Sequence, residues 1–103
     1  MSKADEGTCP PTFEREMGCT EAEWLRWLPG AVRGAPLQVE TGRAQVTLGP
    51  GRLALQWQVL TPRVMALVRI PRLHVSFCFE GVAPAERDAF MRYFDLHTRR
   101  GGG

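Results

Sequence analysis

Residues 43–80 read RAQVTLGPGRLALQWQVLTPRVMALVRIPRLHVSFCFE, and the fold is decided there. Apolar and polar side chains alternate in four runs, separated by turn signals at Gly49-Pro50-Gly51-Arg52, Leu60-Thr61-Pro62-Arg63 and Pro71-Arg72. Proline presets φ at the second position of a turn and glycine tolerates φ > 0 at the next, so the first two read as four-residue reversals. Folding the runs back on one another sets Val46 opposite Leu55, Leu55 opposite Val68 and Val68 opposite Val75, with Trp57 between Ala44 and Ala66. A slip of one residue in any turn throws a whole apolar set onto the opposite face, yet all three agree on one face. Thr41-Gly42 extends the pattern backwards, placing Val39 opposite Ala44 and Leu37 opposite Val46. The expected product is a five-strand antiparallel meander over residues 37–80. Pro71 leaves an alternative open: it lacks a backbone donor, and marks either a turn or a bulge inside one long strand over 64–80.

The flanking segments supply a strand and two helices. Residues 13–17 alternate weakly, with Phe13, Arg15 and Met17 on one side. Residues 20–28 carry a helix entry signature, Thr20 as N-cap and Glu23 three residues on, which together form a capping box. Trp24, Trp27 and Leu28 share one face of that helix, and Pro29-Gly30 ends it. A long last helix starts at Pro84, carries Phe90, Tyr93, Phe94 and His97 on one stripe, and closes with Arg99 and Arg100 before the stop at Gly101. The fold class is therefore α+β: a five- to six-stranded curved antiparallel sheet, with an N-terminal and a long C-terminal helix packed on one face. Residues 1–12 read as a disordered tail, 13–100 as a single domain and 101–103 as a flexible glycine tail. This order of elements resembles a shortened form of the helix-grip arrangement of Bet v 1 and START-type proteins, with fewer strands and one helix between the first two. The resemblance implies a small apolar ligand held between sheet and last helix. Against that, Trp57, Phe77 and Phe79 from the sheet and Trp24, Trp27, Phe90, Tyr93 and Phe94 from the helices are enough to fill the space.

Composition narrows the function classes. The chain has 103 residues, 44% hydrophobic and 23% charged, which is room for one core and no second lobe. No run approaches the ~18 apolar residues of a membrane span, and the start lacks the pattern of a signal peptide, so the expectation is a cytoplasmic protein with no membrane partner. Cys9, Cys19 and Cys78 are too few and too scattered for a disulfide framework, and no metal-ligand spacing or cofactor motif occurs. His74 and Cys78 share a strand face but lie about 13 Å apart at 3.3 Å per residue, beyond hydrogen-bond reach, so no enzyme is expected. The outward face of the sheet carries no aromatic side chain, which makes nucleic acid an unexpected partner. On that face Met65, Leu67 and Cys78 form an apolar island that offers a seat for a partner or a second copy.

Charge is distributed unevenly. Residues 1–30 carry a net −3, residues 31–79 a net +5 and residues 80–103 balance. In the meander register Arg52, Arg69 and Arg72 meet at one end of the sheet, with Arg33 in the approaching loop and Arg99 and Arg100 at the end of the last helix. Arginine suits bidentate capture of carboxylate or phosphate. The expected function is a non-catalytic interaction module, a monomer or weak homodimer, that docks an acidic protein or anionic ligand at this arginine-rich end. The alternative is a carrier or sensor of a small apolar ligand.

Overall fold

The computed structural model describes residues 10–102, the side chains of 100–102 excepted; Cys9 and most of the expected N-terminal tail lie outside the described residues. The elements run β1 (Thr12–Met17), α1 (Glu21–Ala31), β2 (Leu37–Glu40), β3 (Arg43–Leu48), β4 (Gly51–Met65), β5 (Val68–Glu80) and α2 (Pro84–Gly102). The five strands form one antiparallel sheet in the order β1-β5-β4-β3-β2. The α+β class is thus as expected, with β2 to β5 as the meander and β1 closing its other edge.

Register explains which parts of the pattern survive. Leu37 faces Val46 and Val39 faces Ala44, as the Thr41-Gly42 turn requires. The β3–β4 loop is Gly49-Pro50 alone, so Leu48 faces Gly51 and Val46 faces Leu53 rather than Leu55. That shift is two residues, which preserves the face. Gly51 is buried against the chain leaving β5: a Cβ there would stand 2.4 Å from the Gly81 carbonyl oxygen. Backbone cannot yield as a side chain can, so this position admits only glycine.

The reversal expected at residues 60–63 does not form. β4 runs on through it to Met65, and the chain turns at Ala66-Leu67 instead, with Met65 opposite Val68. The two-residue Pro71-Arg72 turn is likewise absent. Leu60 pairs with Arg72 and Arg63 with Ile70, so Thr61 and Pro62 together oppose Pro71. This is a β-bulge, and both prolines sit where the ladder is interrupted and their missing N–H groups leave no gap. Trp57 consequently faces Val75, Leu55 faces Phe77 and Leu53 faces Phe79, in place of the pairings with Ala66, Val68 and Ile70.

Both helices cover one face of the sheet. α1 starts at the capping box, with the Glu23 amide donating to Thr20 Oγ1 and the Thr20 amide donating to Glu23 Oε1. It runs one turn past its expected end, through Pro29 to Ala31. Pro29 and Leu25 are both exposed, on a side of α1 where water can satisfy a carbonyl that lacks its helical donor. α2 likewise continues beyond the expected stop at Gly101. Trp24, Phe77 and Phe94 are fully buried at the centre of the core. Trp24 packs edge-on against Trp57 at 5.6 Å and Phe94 at 5.9 Å, and Phe77 against Phe94 at 5.6 Å, distances at which aromatic pairs attract beyond their buried area. Phe13 of β1 stacks on Phe77 at 4.7 Å. Arg15 lies over the Phe13 and Phe77 rings and forms a two-pronged ion pair with Asp95, tying β1 to α2.

Candidate interaction surface

Because β4 and β5 are much longer than their neighbours, their distal halves leave the sheet. β3 pairs with β4 only as far as Gln56, with one further bond from the Trp57 amide to the Gly42 carbonyl, and β1 pairs with β5 only as far as Leu73. Beyond those points residues 60–65 and 68–72 pair with each other alone, among the described residues, as a two-stranded arm with two open edges. From Leu73 to the turn the arm spans six positions, roughly 20 Å at 3.3 Å each. The fold as a whole, arm included, measures 46 × 31 × 21 Å.

The arm is apolar where a solvated ribbon is normally polar. Val59, Val64, Met65, Leu67 and Val68 are all more than half exposed, Leu67 completely so. Those five are the majority of the eight exposed large hydrophobics among the described residues, so the exposed apolar surface is gathered on one element rather than scattered. The tip is strained as well: Ala66 holds φ at 55°, a left-handed conformation that favours glycine.

Charge at the base of the arm is organised by Glu16. Its carboxylate accepts from Arg72 Nε at 2.9 Å and Arg72 Nη2 at 3.0 Å, and from Arg63 Nη2 at 3.4 Å, while Arg72 Nη1 donates to the Thr61 carbonyl at 3.1 Å. The Arg72 hydrogen bond holds the Glu16 carboxyl below the usual carboxylate range, and Glu16 raises Arg72 in turn. Arg72 thereby clips the bulge to β1 and fixes the direction in which the arm leaves the sheet. Arg69, opposite Val64, is exposed and has no ion-pair partner among the described residues.

The expected gathering of arginines at one end of the sheet does not occur. Arg52 faces Glu80 and bonds it at 2.6 Å, whereas Arg72 faces Leu60, eight positions further along β4, roughly 26 Å away. Their meeting depended on a reversal at residues 60–63; with the turn at Ala66-Leu67 they lie at opposite ends. Arg33 is engaged elsewhere, over the Tyr93 ring at 4.7 Å. Arg99 is exposed on α2, and the side chain of Arg100 lies outside the described residues. What the structure does bring together on the arm is Arg63, Arg69 and Arg72, of which Arg63 is not among the expected site residues. The apolar island divides in the same way: Met65 and Leu67 are at the tip, while Cys78 lies back in the sheet, near Thr12.

A cleft of about 420 Å³ between the β1–α1 connection and α2, lined by Arg15, Cys19, Trp27, Asp95, Thr98 and Arg99 among others, offers less chemistry. Arg15 there is already spent on Asp95. Burial, with Glu23 adding to it, pushes the Cys19 thiol up to about 11, which leaves it protonated and unreactive at neutral pH. On the open sheet face His74 bonds Glu14 at 3.0 Å. No helix among the described residues is long and apolar enough to cross a membrane, and none of their side chains cluster as a metal site. Comparison with known proteins finds no match to this chain, whether by family model, among curated proteins or among solved structures, and the helix-grip resemblance is not confirmed.

Proposed function

We propose that this chain is a non-catalytic interaction module whose docking element is the β4–β5 arm, presenting an apolar tip set between arginines to an acidic partner surface. One observation carries the reading: side chains that elsewhere in this protein fill a core are held in water on a ribbon that buries almost nothing of its own. A hairpin of this kind is marginal in isolation, and an open-edged apolar ribbon is a liability unless something covers it. The carrier reading draws no comparable support, since the Trp24, Trp57, Phe77 and Phe94 rings meet one another in the space a ligand would need.

Photo-crosslinking in cells that produce the protein tests this. A crosslinker at position 64 or 67 on the arm is expected to capture a partner, and one at position 45 on the open sheet face or at position 52 is not. Capture that is equal at all four positions, or absent from the arm, would refute the reading.

A further inference from the structure

The chemistry of the partner is written in the arrangement of the arm's seven tip residues, Arg63 to Arg69: five consecutive apolar residues between two arginines. Residues directly opposite one another in an antiparallel pair share a face. Met65 and Val68 are therefore on one face, followed by the Arg63–Ile70 pair, and Val64 shares the other face with Arg69. Each face thus bears apolar side chains towards the tip and one arginine at or behind them. A flat protein surface covers one face of a ribbon; here both faces and the turn are apolar and exposed, so what covers the tip must surround it. A second copy of the arm pairing edge to edge fits poorly, because a two-fold contact sets Arg63, Arg69 and Arg72 against the same three residues, with no acid anywhere in residues 59–72.

Resting on the docking reading above, we infer that the arm inserts its tip into an anionic lipid surface. From the arginines to the turn is two to three positions, roughly 7–10 Å at 3.3 Å per residue, which matches the ~5–10 Å depth to which interfacial elements bury their apolar side. At that depth Leu67, Met65, Val64 and Val68 reach the acyl boundary while the Arg63 and Arg69 guanidiniums stay among the headgroup phosphates, which they engage in bidentate fashion. Arg72 and Glu16, three positions further back, remain outside as the clamp that aims the arm. The lack of a spanning helix bears on crossing a bilayer and is neutral on lying at its surface.

Sedimentation of the 103-residue chain with vesicles of 70% phosphatidylcholine and 30% phosphatidylserine, against phosphatidylcholine alone, decides the matter. Wild type is expected to co-sediment with the anionic vesicles and to be released as salt is raised. Losing one arginine near an anionic surface is worth about five-fold in partition, so the pair Arg63→Gln and Arg69→Gln lowers it about 25-fold. The pair Met65→Ser and Leu67→Ser lowers it at least as far, at about ten-fold or more for each apolar side chain kept out of lipid. Arg52→Gln, distant and paired with Glu80, leaves it unchanged. A tryptophan placed by Leu67→Trp blue-shifts its emission on the anionic vesicles, whereas Trp24, Trp27 and Trp57 are buried and do not respond. Failure to bind the anionic vesicles overturns the inference. If position 67 then crosslinks to a protein, or if Leu67→Ser dissociates a dimer, the lipid assignment is wrong and the docking arm stands. Vesicle binding that survives both pairs of arm substitutions overturns both.

Discussion

Gly30 and His97 offer the sharpest test of how α1 meets α2. A Cβ built on Gly30 would lie 2.7 Å from both Cε1 and Nε2 of the His97 ring, against the ~3.5–4.0 Å of comfortable contact. His97 is half-buried and stacks on Tyr93 with ring centroids 6.0 Å apart, so the imidazole must retreat by nearly an ångström and lose that stack. Overpacking of this kind costs about 1–3 kcal/mol. Glycine to alanine inside a helix returns about 0.5–1 kcal/mol, because the unfolded glycine has more freedom to lose. Gly30→Ala is therefore expected to destabilise, by up to about 2.5 kcal/mol. With His97→Ala already in place the obstacle is gone, and the same substitution is expected to stabilise by about 0.5–1 kcal/mol. Urea denaturation of the four proteins gives the coupling energy directly, at unchanged m-value. If Gly30→Ala stabilises equally in both backgrounds, the helices do not cross where the structure places them.

Three other outcomes follow from named contacts. Trp57 is buried against Trp24 and Val75 and its indole N–H donates to Glu21 Oε2 at 2.8 Å; Trp57→Ala is expected to cost about 3–5 kcal/mol, enough to leave most domains of this length unfolded by circular dichroism at 37 °C. Ala66→Gly relieves the φ of 55° at the tip and is expected to raise the stability of the arm by about 1 kcal/mol, read as slower amide exchange at Met65 and Val68, and no change there would mean the turn lies elsewhere. Because the carboxyl of Glu16 is held below its ordinary range in the folded chain, its contribution is present above that range and is lost as pH falls through the lowered value. Wild type is therefore expected to exceed Glu16→Gln in stability at pH 7 and to match it near pH 2, with an equal gap at both pH values as the contrary result.

How much was legible depended on whether a choice was local. Alternation fixed which side chains point inward, and it survived a two-residue error at Gly49-Pro50 because period 2 is indifferent to even shifts. The Thr20–Glu23 box was legible because both halves of the cap lie within four residues. The arm was not, because its reversal lacks turn chemistry: Ala66-Leu67 contains no glycine, asparagine or proline, while Pro62 and Pro71 on either side advertise turns and serve a bulge. The register with the fewest breaks, in which the two prolines are one event, has its hairpin centred on Ala66-Leu67. The arginine site failed with that turn, since Arg52 and Arg72 meet only if the chain reverses at residues 60–63. Arg63 stays outside the expected site for the same reason, and the signal that marks it is its symmetry with Arg69 about five apolar residues.

The arm's independence from the core yields a last expectation. Leu60 pairs with Arg72 just before the bulge, so replacing residues 61–71 by Asn-Gly closes the hairpin there with the two residues a tight reversal prefers. The buried set of Trp24, Leu53, Leu55, Leu73, Val75, Phe77 and Phe94 lies wholly outside the excised segment. The segment holds no fully buried side chain, and its losses are confined to ladder bonds, the Arg63–Glu16 contact and the Thr61 carbonyl contact of Arg72, all at exposed positions. Exposed ion pairs contribute about 0–1 kcal/mol, and shortening a loop by nine residues changes its closure entropy only slightly. The shortened protein is expected to melt cooperatively within several degrees of the parent, with its aromatic near-ultraviolet signal intact, and to lose both arm crosslinking and vesicle binding. A shortened chain that fails to fold would show that the arm serves the core, and its exposed valines, methionine and leucine would then need a structural explanation in place of a functional one.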